Sequence, residues 1–371
     1  MNFDFSDDLK LLKDEARKFL EDKCSSEAVR KVLESDTPCD KDLWAEMGTM
    51  GWTGAAIPEQ YGGAGLGALG LCVLAEEIGR ALAPVPFSSS LYYAAEALLL
   101  AGSEEQKQAW LPRLAKAEAI GTLALAEGPG NASLKRVRTT FRNGVLSGEK
   151  LPVPDGIVAD LCIVVAQTDR GIGLVLADLN HAGIKRETVE TLDQSRKQAR
   201  IEFKDVPGEL LGAPGEGERL LRQLEDRAAI LFAFEQVGGA QRCLEMARDY
   251  ALERYAFGRP IGSFQAIKHK LADVYVATEL ARSNAYYGAW ALSKNAPQLP
   301  LAAATARVSA NEAFYQAAKE NIQVHGGMGF TWAFDCHLYY RRAKVLAIAN
   351  GSTRIWKERL VGELEAQNAP A

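Results

Sequence analysis

No run of apolar residues in the sequence approaches the length of a membrane span, so no transmembrane helix is expected. Neither sign of charge dominates. Lys plus Arg is 43 and Asp plus Glu is 48, a net charge of −5 over 371 residues. That balance argues against a general nucleic-acid binder, although basic residues could still gather around a phosphorylated ligand. There is no CxxC pair. Cys24, Cys39, Cys72, Cys162, Cys243 and Cys336 are scattered, several inside apolar runs. They read as small buried hydrophobes in a reducing compartment, not as a disulfide frame or a zinc site. Asp335, Cys336 and His337 are adjacent, and neighbours on a helix point apart, so no metal is expected there. The opening MNFDFSDDLKLL has neither a basic n-region nor an apolar h-region. No signal peptide is expected, and the expected location is cytoplasmic. Internal repeats and low-complexity tracts are missing too.

The stretch from Asp226 to Gln265 organises what is there. Glu235 is the only charged residue between Arg227 and Arg242. On a helix it shares a face with Ala228, Leu231, Phe232, Gly238 and Gly239. Glycine inside a helix costs about 1 kcal/mol relative to alanine, so the pair 238–239 marks close approach of something else. A carboxylate in apolar surroundings is pushed toward the pKa that a general base needs near neutral pH. The plainer alternative is that Glu235 pairs with an Arg or Lys of another helix.

Along the chain, Ser6 is placed to cap a helix in which Leu9, Leu12, Ala16 and Phe19 recur at helical spacing. A second helix is expected at about 41–50. The glycine-rich GWTGAAIPEQYGGAGLGALG formally contains the dinucleotide fingerprint at Gly65, Gly67 and Gly70. Pro58 and Gly62–Gly63 stand where that motif needs a strand, so a loop leading into a helix at 69–82 is expected. Ser103 and Gln106 form a capping box opening a helix that breaks near Pro112. From Gly121 the texture changes to short Val-, Ile- and Leu-rich segments: TLALAE, VLSGEK, DLCIVVAQT, IGLVLADL, IKRETVE and QARIEFKDV. These read as an antiparallel sheet or small barrel. After Pro214 come long helical patterns at 217–255, 264–294, 301–324 and 335–365, resembling an antiparallel bundle. The fold class is therefore α+β. The expected parts are an N-terminal helical domain (1–118), a central antiparallel β domain (119–213) and a C-terminal four-helix bundle (214–371). The last residues, AQNAPA, are expected to fray. Phe330 and Trp332 are expected in the core, and His325 as a packing residue.

Three stretches, LWAEMGTMGWTGAAIPEQYGGAGLG, YALERYAFGRPIGSFQAIKHKLAD and NIQVHGGMGFTW, occur in the order found in the acyl-CoA dehydrogenase family of flavoproteins. The sequence resembles that family over nearly its whole length. The resemblance implies FAD as cofactor, with its flavin ring between the β domain and the bundle and its pyrophosphate reaching a neighbouring subunit. Carried over, Arg254 would pair with the pyrophosphate, since guanidinium forks match phosphate oxygens. Phe257 would pack on the cofactor and Gln265 would hydrogen-bond it. Gln323, Gly326 and Gly327 would bring backbone close to its adenosine half. Leu125 and Ala126 would stand where the family's T-E-P loop meets the flavin, although the family's Thr is Ala126 here. The W-x-T strand is replaced at Pro152 and Pro154. Ser352 would take the place of a family threonine that contacts the cofactor.

The resemblance also implies a base at one of two positions, and these are Ala228 and Asn350 here. Glu235, two turns beyond Ala228, is the carboxylate left to abstract the α-proton while the β-hydrogen leaves with its electron pair to the flavin. The product is a trans-2-enoyl-CoA. Such a displaced base resembles the branch acting on bulky acyl groups, including steroid side chains, and often pairing unlike subunits. The implied partners are an acyl-CoA substrate, an electron-transfer flavoprotein as acceptor, and a homotetramer or a heterotetramer with a second chain of the family. Two other readings stay open: a non-catalytic partner subunit of a heteromeric dehydrogenase, or a flavin oxidase or monooxygenase on the same fold.

Overall fold

The computed structural model describes residues 5–130 and 132–368. Ser6 caps α1 (Asp7–Lys23) by accepting from the Leu9 amide. Then come α2 (Ser26–Leu33) and α3 (Lys41–Thr49), the latter capped by Asp40. The glycine-rich stretch enters α4 (Gly67–Ala81) through two single 3-10 turns and no strand, as its prolines and glycines require. After Pro84 and Pro86 the chain resumes a helix of π-type pitch at 88–95, which continues into α5 (Glu96–Ala101). Both halves of the Ser103–Gln106 capping box are made at α6 (Glu104–Ala115). Contrary to expectation, α6 runs through Pro112. The proline forfeits one amide bond, but it stands in the last turn, where little helix remains to be broken.

The strands are β1 (Gly121–Ala124), β2 (Thr140–Arg142), β3 (Val145–Pro154), β4 (Leu161–Thr168), β5 (Gly171–Asp178), β6 (Ile184–Val189), β7 (Gln198–Pro207) and β8 (Glu209–Leu211). They form one sheet in the order β6-β7-β3-β2-β4-β5-β8, with β1 paired to β4. Hairpin-linked neighbours are antiparallel, as the turn residues foretold. The pairings β1–β4 and β2–β4 are parallel, which the expected all-antiparallel sheet did not include. β4 follows β1 only after the long excursion through β2 and β3, and such a return needs no tight turn. One face of the sheet is apolar and closed by Leu146, Val164, Val175, Ile201 and Phe203.

The later helices are α7 (Gly217–Glu253), α8 (Gln265–Ser293), α9 (Leu299–His325), α10 (Cys336–Ala349) and α11 (Thr353–Asn368). A two-residue hairpin of β9 (Tyr255–Ala256) and β10 (Arg259–Pro260) stands between α7 and α8. α9 packs on α8, α10 and α11. The pattern expected at 335–365 is two helices, because Gly351 has φ +81° and turns the chain. Its period had carried across the turn. Of the tail expected to fray, residues 366–368 continue α11 and the rest lies outside the described residues.

By compactness the chain falls into two units. One comprises Met1–Glu27, Cys72–Ala83 and Ala229–Ala371, and the other Ala28–Leu71 and Pro84–Ala228. In the first, Glu76 and Glu77 on α4 are buried. Lys13 donates to Glu76 at 2.7 Å, Arg282 donates to the same carboxylate, and Arg17 holds both oxygens of Glu77 at 2.8 and 3.0 Å. These pairs tie α1 and α8 to α4. In the second unit, Asp155 accepts from Arg196 at 2.9 Å and from Ser89 at 2.6 Å, all three being buried.

Candidate active site

Two glycines on α7 explain how Glu235 is held. A Cβ on Gly238 would lie 1.8 Å from the Glu76 carbonyl oxygen, and one on Gly79 would lie 1.8 Å from that of Glu235. The helices α4 and α7 therefore cross backbone to backbone. A Cβ on Gly239 would meet the Phe314 ring at 2.5 Å. The close approach marked by the pair 238–239 is this helix packing. Glu235 itself is fully buried, and Nη1 of the buried Arg342 lies 3.8 Å from its Oε1. Arg342 also donates to the Leu82 carbonyl at 3.3 Å. The ion-pair alternative is thus realised in the geometry: a desolvated carboxylate with a counter-charge beside it. Beyond it, Gln236 links Arg307 and Asn311 in a second buried network, and Asn311 donates to Thr353 at 3.2 Å. Ala228 is buried, and Asn350 uses its carbonyl to accept from Trp356 Nε1.

The other expected residues fall into two sets. In the first unit, Arg254 is exposed at the end of α7, and its carbonyl closes the β9–β10 hairpin by accepting from the Ile261 amide at 2.8 Å. Phe257 projects from the hairpin tip at 96% exposure, with φ +53°. Gln265 opens α8 and Gln323 lies near the end of α9, both exposed. Gly326 has φ +59°, and a Cβ at Gly326 or Gly327 would meet nothing within 4 Å. The Ser352 hydroxyl oxygen is buried with no hydrogen-bond partner among the described residues. In the second unit, the carbonyl of Leu125 accepts from Lys150 at 3.2 Å and that of Ala126 from the Leu151 amide at 2.8 Å. Pro152 and Pro154 lie in β3.

These residues fit a flavin nucleotide in two observable respects. A buried hydroxyl lacks a partner at Ser352, and the backbone at 326–327 is bare. A buried polar group left unmade costs free energy, so such a hydroxyl points to a ligand that completes it. Phe330 and Trp332, expected in the core, are 82% and 50% exposed. A turn rich in glycine cannot bury them, and Trp332 stacks instead on His337 at 4.5 Å. His325 is a packing residue as expected. It stacks on Tyr250 at 4.1 Å, its Nδ1 meets the Asn321 carbonyl, and burial lowers its pKa. Among the described residues no group of His, Cys, Asp or Glu could hold a metal. No helix is long and apolar enough to cross a membrane among those residues.

Sequence reading missed one ion pair near the β1 end. Lys150, fully buried, donates to Glu127 at 2.8 Å. Glu127 also accepts from the amides of Thr139 and Arg138 at 2.9 and 2.7 Å. Desolvation works to raise the Glu127 pKa, but these donors outweigh it and hold the carboxyl at about 2. The only trace in the sequence is a lysine on an otherwise apolar-facing strand position.

Comparison with known proteins places the molecule. The family profile for the acyl-CoA dehydrogenase N-terminal domain matches residues 6–118, and that for the C-terminal domain matches residues 215–363. The acyl-CoA dehydrogenase IpdE2 of Mycobacterium tuberculosis is 37% identical over 338 residues, covering 91% of each chain. A solved steroid ACAD is 32% identical with a TM-score of 0.88, over 98% of this chain and 99% of that one. The ChsE4–ChsE5 complex from Mycobacterium tuberculosis gives 28% and 0.90 over the full length of both chains. The α+β fold, with helices before and after a central sheet, is that of a flavoprotein oxidoreductase class. The chain belongs to the acyl-CoA dehydrogenase family, and its homologues support FAD-dependent acyl-CoA dehydrogenation.

Proposed function

We propose that this chain binds FAD through Arg254, Phe257, Gln265, Gln323, Gly326, Gly327, Leu125, Ala126 and Ser352, and that Glu235 takes the α-proton of its acyl-CoA substrate. The observation that carries the cofactor assignment is the partnerless buried hydroxyl of Ser352. FAD, when bound, supplies the two-electron oxidation. The protein holds the thioester, excludes water and removes the proton. A carboxylate shielded from water is a stronger base than a solvated one, and the apolar face of α7 provides that shielding. In this reading Arg342 fixes the carboxylate until substrate enters.

The acyl group proposed is bulky, in keeping with the steroid ACAD among the similar solved structures. The assembly proposed is a tetramer of like or unlike chains, the electron acceptor is an electron-transfer flavoprotein, and the location is cytoplasmic. A second reading is favoured by the 3.8 Å contact of Glu235 with Arg342 and by Ala228 and Asn350 at the two family base positions. In it the chain is an accessory subunit, and Glu235 is a structural ion-pair member. The Glu235→Gln variant separates the two. If Glu235 is the base, the variant keeps its fold and flavin and loses reduction by substrate by roughly 100-fold or more. Undiminished reduction removes Glu235 from the chemistry.

A further inference from the structure

Arg307 is the one cation on a stretch of α9 whose other buried residues are Ala303, Ala304, Ala306 and Ala310. It is fully buried, with its guanidinium 5.2 Å from the centre of the Phe232 ring. An arginine keeps its charge in any protein environment, and taking that charge out of water is costly. Apolar side chains would join these helices at less cost, so its bonds matter. Nη1 donates to the Gln236 Oε1 at 2.5 Å, and Nη2 donates to the Leu346 carbonyl. Leu346 lies in the last turn of α10, where carbonyls lack helical partners and a cation is favoured.

The guanidinium also sets the direction of the bonds beyond it. It can only donate, so Gln236 must turn its oxygen toward it. That leaves the Gln236 amide nitrogen to donate to Asn311 Oδ1 at 2.6 Å, and the Asn311 nitrogen to donate to the Thr353 hydroxyl at 3.2 Å. A charge at one end of such a chain polarises each bond along it. The chain ends on the residue after Ser352, at the start of α11. On its other side the same turn is held by Trp356, whose Nε1 donates to the Asn350 carbonyl and whose amide donates to the Ser352 carbonyl at 3.2 Å. The turn is tied from both sides, and the hydroxyl oxygen of Ser352 is what it leaves open.

We infer that Arg307 is a positioning residue: with Gln236, Asn311 and Thr353 it fixes the turn between α10 and α11 so that the Ser352 hydroxyl is presented to the cofactor. The inference rests on the reading of Ser352 as a cofactor contact and extends it to four residues which that reading does not assign.

The test follows flavin released from the holoenzyme on dilution, by fluorescence, with the melting temperature read in parallel. Arg307→Lys, Thr353→Val and Thr353→Ser are each made in the wild-type chain and in the Ser352→Ala chain. A lysine has a single head group and does not span Gln236 and Leu346 at once. In the wild-type chain, Arg307→Lys and Thr353→Val should each weaken flavin retention by roughly three- to tenfold. In the Ser352→Ala chain the same changes should weaken it by less than about twofold, because the hydroxyl they position is already gone. Thr353→Ser keeps the hydroxyl and should retain flavin as the wild type does. Equal weakening in both backgrounds overturns the inference. So does a lower melting temperature with unchanged retention, because the network is then only a tie between helices. Should Arg307→Lys fail to fold, Thr353→Val decides, since Thr353 is only half-buried and the other three bonds stay in place. The underlying reading fails on a different result, when Ser352→Ala alone retains flavin as the wild type does, and the positioning role falls with it.

Discussion

Glu76 supports the sharpest stability prediction. It is 2% exposed on α4 and sits between Lys13 of α1 and Arg282 of α8. Replacing it by Gln keeps the shape and removes the charge that both cations meet. Breaking a buried pair by neutralising one partner costs about 3–5 kcal/mol. Two facts put this case at the lower end. Lys13 and Arg282 keep 20% and 17% side-chain exposure, so water reaches them. Arg282 also retains Glu279 and Gln241, each at 3.2 Å. The expected loss is about 3 kcal/mol, read from urea unfolding of wild type and variant in parallel. The pH dependence carries its own sign. Burial works to raise the Glu76 pKa, but Lys13 and Arg282 lower it below its ordinary value of 4.5. A depressed carboxylate contributes stability above its unfolded pKa and loses it as pH falls through the folded one. The gap between wild type and Glu76→Gln should be full at pH 7 and close in acid below about 4.5. A gap under about 0.5 kcal/mol at pH 7, or one that widens in acid, would refute the reasoning.

Gly238→Ala should destabilise by about 3 kcal/mol, because its Cβ would collide with the Glu76 backbone and force α4 from α7. Gly362→Ala, on α11 with nothing within 4 Å of the new methyl, should raise stability by about 0.5–1 kcal/mol in the same unfolding assay. Lys150→Met should cost about 3 kcal/mol, since it strands Glu127 beside a buried methionine. The contribution of Glu127 itself is present above its ordinary pKa and is lost only as pH falls through about 2, a window that acid titration of the melting temperature can read. Ser352→Ala should leave stability within about 0.5 kcal/mol. It should weaken flavin retention severalfold, measured by flavin fluorescence released on dilution.

Much of this molecule was legible in its sequence where local chemistry decides the outcome. The six Val- and Ile-rich segments became strands because alternating or continuous apolar runs between turn residues have few other ways to bury themselves. Ser6, and Ser103 with Gln106, cap where their side chains reach orphan amides. Gly238 and Gly239 announced a close approach, and only its partners, α4 and Phe314 of α9, were missing. What was not legible depends on residues far apart in the chain. Glu76 lies 63 positions from Lys13 and 206 from Arg282, so no spacing rule joins them. Arg342 is remote from Glu235 in the same way, and a carboxylate alone on an apolar face looks the same before its partner is known. The parallel return of β4 beside β1, the turn at Gly351 inside a continuing helical period, and the exposure of Phe330 and Trp332 are likewise set by tertiary placement.

The central claim is that this chain oxidises acyl-CoA thioesters with FAD. Its most direct test is anaerobic titration of the purified, FAD-loaded protein with a panel of acyl-CoA thioesters of graded chain length and ring size, following the visible flavin band. The account predicts a yellow protein whose band bleaches with at least one bulky acyl-CoA and recovers on adding an electron acceptor. A flavin that binds and stays oxidised with every thioester would contradict it.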